Sequence, residues 1–266
     1  MTKSDSTKGI LVPGALDKKF NLYRHPPAND LSFFVEHYWI VKWDLRGEKP
    51  YESETLPYPS VNAVIEKGRS GIWGVVTGRF TRRLEGDGRA FAIKFKPGAF
   101  HPFITGPISN LTDKIFSFGE LFGKDGERFE DEILGSDDDA AKVIRTEEFL
   151  RSRNPPRDEN IILINRIVDT ITTNREIKRV DDVVSLTYIG KRSLQRLFNE
   201  YVGIGPKWVI KRYRLQEAAE QLSRGEDADL PGLAIDLGYF DQPHFIKDFK
   251  KIVGKTPAEY ARSATV

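Results

Sequence analysis

Lys191-Arg-Ser-Leu-Gln-Arg-Leu-Phe-Asn-Glu-Tyr201 is the stretch whose reading decides the fold of the second half of this chain. Leu194, Leu197, Phe198 and Tyr201 fall at i, i+3, i+4 and i+7, the spacing of one buried stripe on an α-helix. The opposite face carries Arg192, Gln195, Arg196 and Asn199. Those side chains have the chemistry to read base edges: arginine on guanine, glutamine or asparagine on adenine. Just upstream, Val180 to Tyr188 reads as a short amphipathic helix with Val183, Val184 and Leu186 available to a core, and Gly190 breaks the pattern. Two short helices about a tight, glycine-containing turn make a helix-turn-helix unit.

The same frame recurs downstream. Leu230 to Leu237 is a short helix, Gly238 the turn, and Gln242-Pro-His-Phe-Ile-Lys-Asp-Phe-Lys-Lys251 the second helix. Phe245 and Phe249 point inward at i and i+4, leaving Gln242, His244, Lys247 and Lys251 outward; Pro243 is tolerated in the first turn. His244 has two readings, on phosphate or packed within its own helix. The units close alike, with Gly203-Ile-Gly-Pro206 and Gly254-Lys-Thr-Pro257. Between them Lys207 to about Ser223 predicts a helix of roughly 17 residues and about 25 Å, bounded by Pro206 and Gly225. Such a spacer suits two helices reading groove faces about 34 Å apart. Its run Lys211-Arg-Tyr-Arg214 is placed to track phosphates, with Arg214 assigned an internal role such as pairing with an acidic residue.

The stretch from Arg179 to Arg262 resembles the AraC/XylS family of bacterial regulators. The resemblance rests on Leu194-Gln-Arg-Leu-Phe198 with Gly203-x-x-Pro206, and on Arg214-Leu215 with Ala218 and Leu222. It continues in Ala234-x-x-Leu-Gly238-Tyr, in Gln242-x-His-Phe245-x-x-x-Phe249-Lys and in Gly254-x-x-Pro257-x-x-Tyr260. It implies that Arg192, Gln195 and Arg196 in the first unit, and Gln242, His244 and Lys247 in the second, face DNA. Gly190 departs from the pattern, standing where the family usually has a capping serine; glycine caps only slightly less well.

From about Leu31 to Lys96 the texture differs. In Val35-Glu-His-Tyr-Trp-Ile-Val-Lys-Trp43, the residues Val35, His37, Trp39, Val41 and Trp43 share one face at period two. Val61 to Glu66, Ile72 to Thr77 and Phe91 to Phe95 read as further strands, separated by Gly68-Arg-Ser-Gly71 and Gly86-Asp-Gly88 as turns. This spacing suits an antiparallel sheet, curled or sandwiched. Pro97-Gly98 ends it, short helices are expected near Ala99–Ile104 and Phe118–Phe122, and Ser136-Asp-Asp-Asp139 opens a helix to about Ser152. Asn154-Pro155-Pro156 is the natural linker. Phe95-Lys-Pro-Gly-Ala99 is similar to an element in the amino-terminal domain of some AraC-type regulators, which implies a sensor-like, often cupin-like domain. Trp39, Trp43 and Trp73 are the candidate ligand cage, set against the plainer reading of sheet core.

The expected fold is therefore α+β in two domains. Residues 1–18 form a flexible tail and 19–153 a β-rich, cupin-like or sandwich domain for sensing or dimerisation. Residues 154–157 form a linker and 158–266 an all-α domain of two helix-turn-helix units. Composition narrows the function. The net charge of +2 excludes a histone-like polycation, so any nucleic-acid site is a local patch. With 0 cysteines there is no disulfide framework, thiolate zinc site or cysteine nucleophile. The four histidines His25, His37, His101 and His244 show no metal-ligand spacing, and no cofactor motif is present. Ile10 to Val12 is too short for a signal peptide, and no apolar run approaches the roughly 20 residues of a membrane span, so a cytoplasmic location is expected. The reading is a non-enzymatic transcription regulator on double-stranded promoter DNA. A small-molecule effector, RNA polymerase and a second copy of the chain are candidate partners. The rivals are a regulator whose N-terminal domain only makes protein contacts, and an enzyme fused to a DNA-binding module.

Overall fold

Near-alternation of apolar residues builds β3 (Val35–Leu45), and a run buried on both faces from Ala90 builds most of β8 (Gly86–Phe95). These are the two longest strands, and their antiparallel pairing is the spine of the N-terminal sheet. Beside β3 lie β2 (Asn21–His25) and β1 (Thr2–Lys3). Beside β8 lie β5 (Asn62–Glu66), β6 (Gly71–Trp73) and β9 (Ile115–Phe116). Strands β4 (Tyr51–Thr55) and β7 (Phe80–Leu84) pair with each other as a separate ribbon. The pairs β3·β8, β4·β7 and β5·β6 are nested in sequence, the order in which a jelly roll is wound, the class to which cupins belong. The computed structural model describes residues 2–3, 19–223 and 229–264. The expected tail lies outside these residues except for Thr2–Lys3, and so does Gly225.

The two faces of this sheet have different fates. Tyr38, Ile40, Ala63, Ile65, Phe91, Ile93 and Phe95 form one core with Phe129, Ile133, Val143 and Leu150. Those last four come from helices α1 (Phe118–Gly135) and α2 (Asp139–Ser152). The other face turns towards the β4–β7 ribbon. Val35 does not share the face of His37, Trp39, Val41 and Trp43. A bulge between Val35 and His37 shifts the register and sends Val35 to the helix-covered side.

Other departures from expectation have local causes. The strand expected at Ile72 to Thr77 ends at Trp73, because Gly74 passes the carbonyl of Leu111 so closely that a Cβ there would lie 1.8 Å from its oxygen. In Gly86-Asp-Gly88 only Gly86 serves the turn, at φ +59°. Asp87 and Gly88 continue the strand opposite Asp44 and Trp43. The helix expected at Phe118–Phe122 is the first part of α1, whose backbone leaves helical geometry at Gly123 (φ 61°) and then resumes.

After Pro155-Pro156 the described chain is helical: α3 (Glu159–Thr173), α4 (Val180–Thr187), α5 (Lys191–Tyr201), α6 (Pro206–Leu222), α7 (Leu230–Asp236), α8 (Gln242–Val253) and α9 (Pro257–Ala264). Two cores organise them. Ile164, Ile167, Val183, Leu194, Phe198 and Val209 make one, and Leu215, Ala218, Leu233, Phe245 and Phe249 the other. Helix α6 serves both, so the two units are braced by one continuous helix. The double proline does not isolate the halves. Ile161 of α3 packs into the sheet core, and Asn165 Nδ2 donates to Pro97 O at 3.0 Å.

Candidate nucleic-acid interface and internal cavity

In the first unit the Asp182 carboxylate accepts from the backbone N–H groups of Lys178 (2.8 Å) and Arg179 (2.7 Å), fixing the start of α4. The left-handed residue that turns the chain is Tyr188 (φ 57°), not Gly190, which is extended and caps α5 without a side chain. Leu186 is 52% exposed instead of joining the core. On α5, Leu194 and Phe198 are buried, Leu197 and Tyr201 half-buried, and Arg192, Gln195, Arg196 and Asn199 exposed. Gln195 Nε2 donates to Asn199 Oδ1 at 3.2 Å, so the two amides form one polar patch. Among the described residues neither Arg192 nor Arg196 meets an acidic side chain.

The second unit repeats this geometry with firmer caps. Gly238 turns the chain at φ +82°, where a Cβ would lie 2.9 Å from the Cβ of Lys178. Asp241 caps α8, its carboxylate accepting from His244 N–H at 2.8 Å. Phe245 and Phe249 are fully buried, His244, Lys247 and Lys251 exposed, and Gln242 half-buried. His244 is engaged locally, its Nε2 3.5 Å from Asp248 and its ring edge-on to Tyr239. Lys247 and Lys251 have no ion-pair partner among the described residues.

The run Lys211–Arg214 does not offer itself to phosphates. Lys211 Nζ pairs with Asp248 at 2.7 Å, tying α6 to α8. Arg212 and Arg214 are buried. Arg214 pairs with Glu217 at 3.0 Å and donates to Ile171 O, the internal role expected of it. Arg212 reaches into the N-terminal domain, where its Nε donates to Pro57 O at 2.7 Å and its guanidinium lies 4.2 Å from the Tyr58 ring centroid. At period 3.6 a charged run necessarily wraps the helix, and α6 has cores on more than one side.

Between the open sheet face and the β4–β7 ribbon lies a cavity of 270 Å³. Trp39, Trp43 and Trp73 all line it, brought together from β3 and β6. The hollow exists because β8 turns small residues towards it. Gly88 and Ala90 stand opposite Trp43 and Val41, and a Cβ on Gly88 would lie 2.4 Å from the Trp43 ring. Trp43 Nε1 donates to Glu85 O (3.2 Å) and Trp39 Nε1 faces Asn62 Oδ1 (3.4 Å), whereas the buried Trp73 Nε1 has no hydrogen-bond partner among the described residues. Polar lining residues include Arg24, His37, Asn62, Arg69 and Lys94, together with the ion-paired Arg82 and Glu66. Burial, reinforced by Lys94 and Arg24 against the opposing pull of Glu36, lowers the His37 pKa to about 4.

The walls of this cavity are also the seat of the helical region. Leu56, beside Pro57 and Tyr58 on the cavity wall, packs into the core of the second unit. Val75, flanked by the lining residues Gly74 and Val76, packs into the core of the first. Thr77 O accepts from Trp208 Nε1 at 3.0 Å, and Arg79 N–H donates to Lys251 O at the end of α8 (3.1 Å). Sequence reasoning missed Lys94, Tyr58 and Arg212. For the hollow itself a signal was present, the small side chains Gly88, Ala90 and Ala92 alternating with Phe91 and Ile93. For Arg212 there was none, because its partner is a backbone carbonyl of a remote loop. Among the described residues no helix is long and apolar enough to cross a membrane, and no group of three or more acidic or histidine side chains is placed to hold a metal ion.

Comparison with known proteins divides the chain in the same way. Residues 23–117 match a domain of unknown function (DUF6597), and residues 184–263 match a helix-turn-helix domain. A probable transcription factor, PqrA of Proteus vulgaris, is 28% identical over 109 residues, 41% of this chain and 88% of that protein. The activator RclR of Escherichia coli is 33% identical over 81 residues, 30% of this chain and 28% of that protein. An uncharacterized HTH-type transcriptional regulator of Haemophilus influenzae is 26% identical over 87 residues, and the match spans only 29% of its length. Among solved structures, a probable AraC family transcriptional regulator from Rhodopseudomonas palustris is 27% identical over 37% of this chain and 93% of its own, with a TM-score of 0.33. ToxT from Vibrio cholerae aligns over 94% of this chain and 99% of its own at 13% identity, with a TM-score of 0.37.

Proposed function

Residues 184–263 match a helix-turn-helix domain, and from that premise we propose that this protein is a sequence-specific DNA-binding transcription regulator of the AraC type. Helices α5 and α8 read two neighbouring segments of the major groove, and a small effector bound among Trp39, Trp43 and Trp73 controls the reading. The observation that carries the DNA-binding half is the pair of outward helix faces braced by α6. Arg192 and Arg196 on one, and Lys247 and Lys251 on the other, are exposed cations without acidic partners among the described residues. Gln195 and Asn199 add amides of the kind that pair with adenine. Gln242 and His244 sit in the first turn of α8, the end of a recognition helix that reaches base edges; His244 has the smaller share, being held by Asp248 and Tyr239.

The control half rests on the shared walls. An effector shifts DNA affinity only if it binds the competent and incompetent arrangements differently. Leu56–Tyr58 and Gly74–Val76 face the cavity on one side and the helical cores on the other, so a ligand pressing on them acts on both units. Selection of bound sites from random duplex DNA tests the first half. The expected product is a bipartite site with half-elements about one helical turn apart, bound about 10³-fold or more over scrambled DNA. Enrichment of no sequence by the full chain, with and without ligands that raise its melting temperature, refutes the regulator reading.

A further inference from the structure

The chemistry of the cavity narrows what it binds. A pocket of 270 Å³ is close to twice the roughly 150 Å³ void that encloses a benzene molecule, and below the range of drug-sized sites. Its body is aromatic and aliphatic: three tryptophans, Phe20, Val41 and Leu84. Its polar end is built across neighbouring strands. In register, His37, Lys94, Asn62 and Trp73 stand side by side on β3, β8, β5 and β6, on one face of the sheet.

That row has the character of an anion receptor. The Lys94 ammonium is buried and lies 3.7 Å from the Tyr58 ring centroid. Its acidic partner is Glu36, at 3.1 Å, on the side where that carboxylate is half exposed to solvent. On the other flank of Lys94 in the row comes Asn62, and beyond it the buried Trp73 N–H, which has no acceptor among the described residues. A buried donor without an acceptor costs about 1–3 kcal/mol, and a ligand oxygen removes that cost. Arg69 stands over the Trp73 ring at 5.1 Å, and the buried guanidinium of Arg212 lies against Tyr58. The acid lining the cavity, Glu66, is already held by Arg82. His37 stays neutral at physiological pH and takes nothing from this positive balance.

We propose that the cavity binds a small organic anion, a carboxylate on a flat body of one or two rings, with the carboxylate at Lys94 and the Trp73 N–H and the rings among Trp39, Trp43 and Val41. The proposal rests on the effector reading and deepens it. Tyr58, which Lys94 and Arg212 both approach, puts the anionic end next to the contact between the cavity wall and α6. A ligand drawing Lys94 away from Tyr58 changes the surroundings of Arg212 directly.

The test is isothermal titration of the full chain with 2-naphthoate and with its neutral isostere 2-naphthamide. The expected result is at least about tenfold tighter binding of the carboxylate, with the preference abolished in Lys94→Met while 2-naphthamide affinity is kept. Arg69→Gln, at the exposed rim, is expected to lower the preference less. The wild-type comparison needs no variant, so a misfolded Lys94→Met does not blunt it. Equal affinity for the two probes overturns the proposal. So does binding of neither probe, and a set of neutral and cationic compounds then separates the levels. If one of those raises the melting temperature, the cavity is an effector site of another class; if none does, the effector reading falls as well.

Discussion

Replacing Arg196 by alanine isolates base reading from everything else in the molecule. The side chain is exposed, midway along α5, and has no acidic partner among the described residues. Its removal therefore breaks nothing in the fold, and stability is expected to stay within about 0.5 kcal/mol of the parent. All of the effect should appear in DNA binding. A bidentate arginine–guanine contact discriminates by about 1–3 kcal/mol, so affinity for the selected site should fall about 5- to 150-fold while affinity for scrambled DNA barely moves. Salt dependence separates base from phosphate. Each phosphate contact adds about 0.9 to the slope of log K against log salt, and a base contact adds almost nothing. Fluorescence anisotropy on both DNAs at several salt concentrations should show parallel slopes for parent and Arg196→Ala, displaced on the specific site. Equal loss on both DNAs, with the slope reduced by about one, would place Arg196 on a phosphate and refute the assignment.

Four further outcomes follow from buried or strained groups. Burial raises the Glu217 pKa above the usual 4.5, and Arg214 opposes that shift. Arg214→Met is therefore expected to destabilise the chain, and by more at pH 8 than at pH 5. A raised carboxyl pKa means the folded state holds the proton more tightly, so stability declines as pH climbs through that pKa; melting temperatures across this range check it. The His37 pKa runs the other way, from 6.5 down to about 4. The folded state resists protonation, so stability should fall as pH drops from 6.5 towards 4, by up to about 3 kcal/mol. His37→Gln should flatten that acid limb, and a His37 midpoint near 6.5 by NMR would exclude the buried neutral ring. Tyr188 is left-handed and 93% exposed. Tyr188→Gly should leave stability unchanged or raise it by up to about 1 kcal/mol, against the loss expected of glycine elsewhere, and chemical denaturation measures which. Gly88→Ala should cost about 1–3 kcal/mol by pushing into the Trp43 ring, seen as a lower melting temperature with changed tryptophan fluorescence.

The helical half was legible because its signals are local. Leu194, Phe198, Phe245 and Phe249 announce their helices by spacing alone, and all four are fully buried where that spacing puts them. What escaped there was equally local but finer. The αL turn falls on Tyr188 because α4 closes at Thr187, earlier than Gly190 suggests, and Leu186 is left outside on its short helix. The β half was legible as strands and turns but not as a container. A period-two pattern says which residues share a face, not whether that face meets another sheet, water or a hollow, and the bulge at Val35 altered even the first reading.

By itself, then, the amino-acid sequence determined two helix-turn-helix units with cations and amides outward, and a β-rich region ahead of them, because hydrophobic period and turn chemistry act within a few residues. Only the tertiary structure decided that Trp39, Trp43 and Trp73 surround one cavity, that Lys94 and an indole N–H without an acceptor among the described residues sit in one row across its strands, and that Arg212 is buried against Pro57 and Tyr58. Each depends on strand order and on which loop meets which helix. Those are settled by the burial of whole faces, a sum over residues far apart in the chain, which no short stretch of it contains.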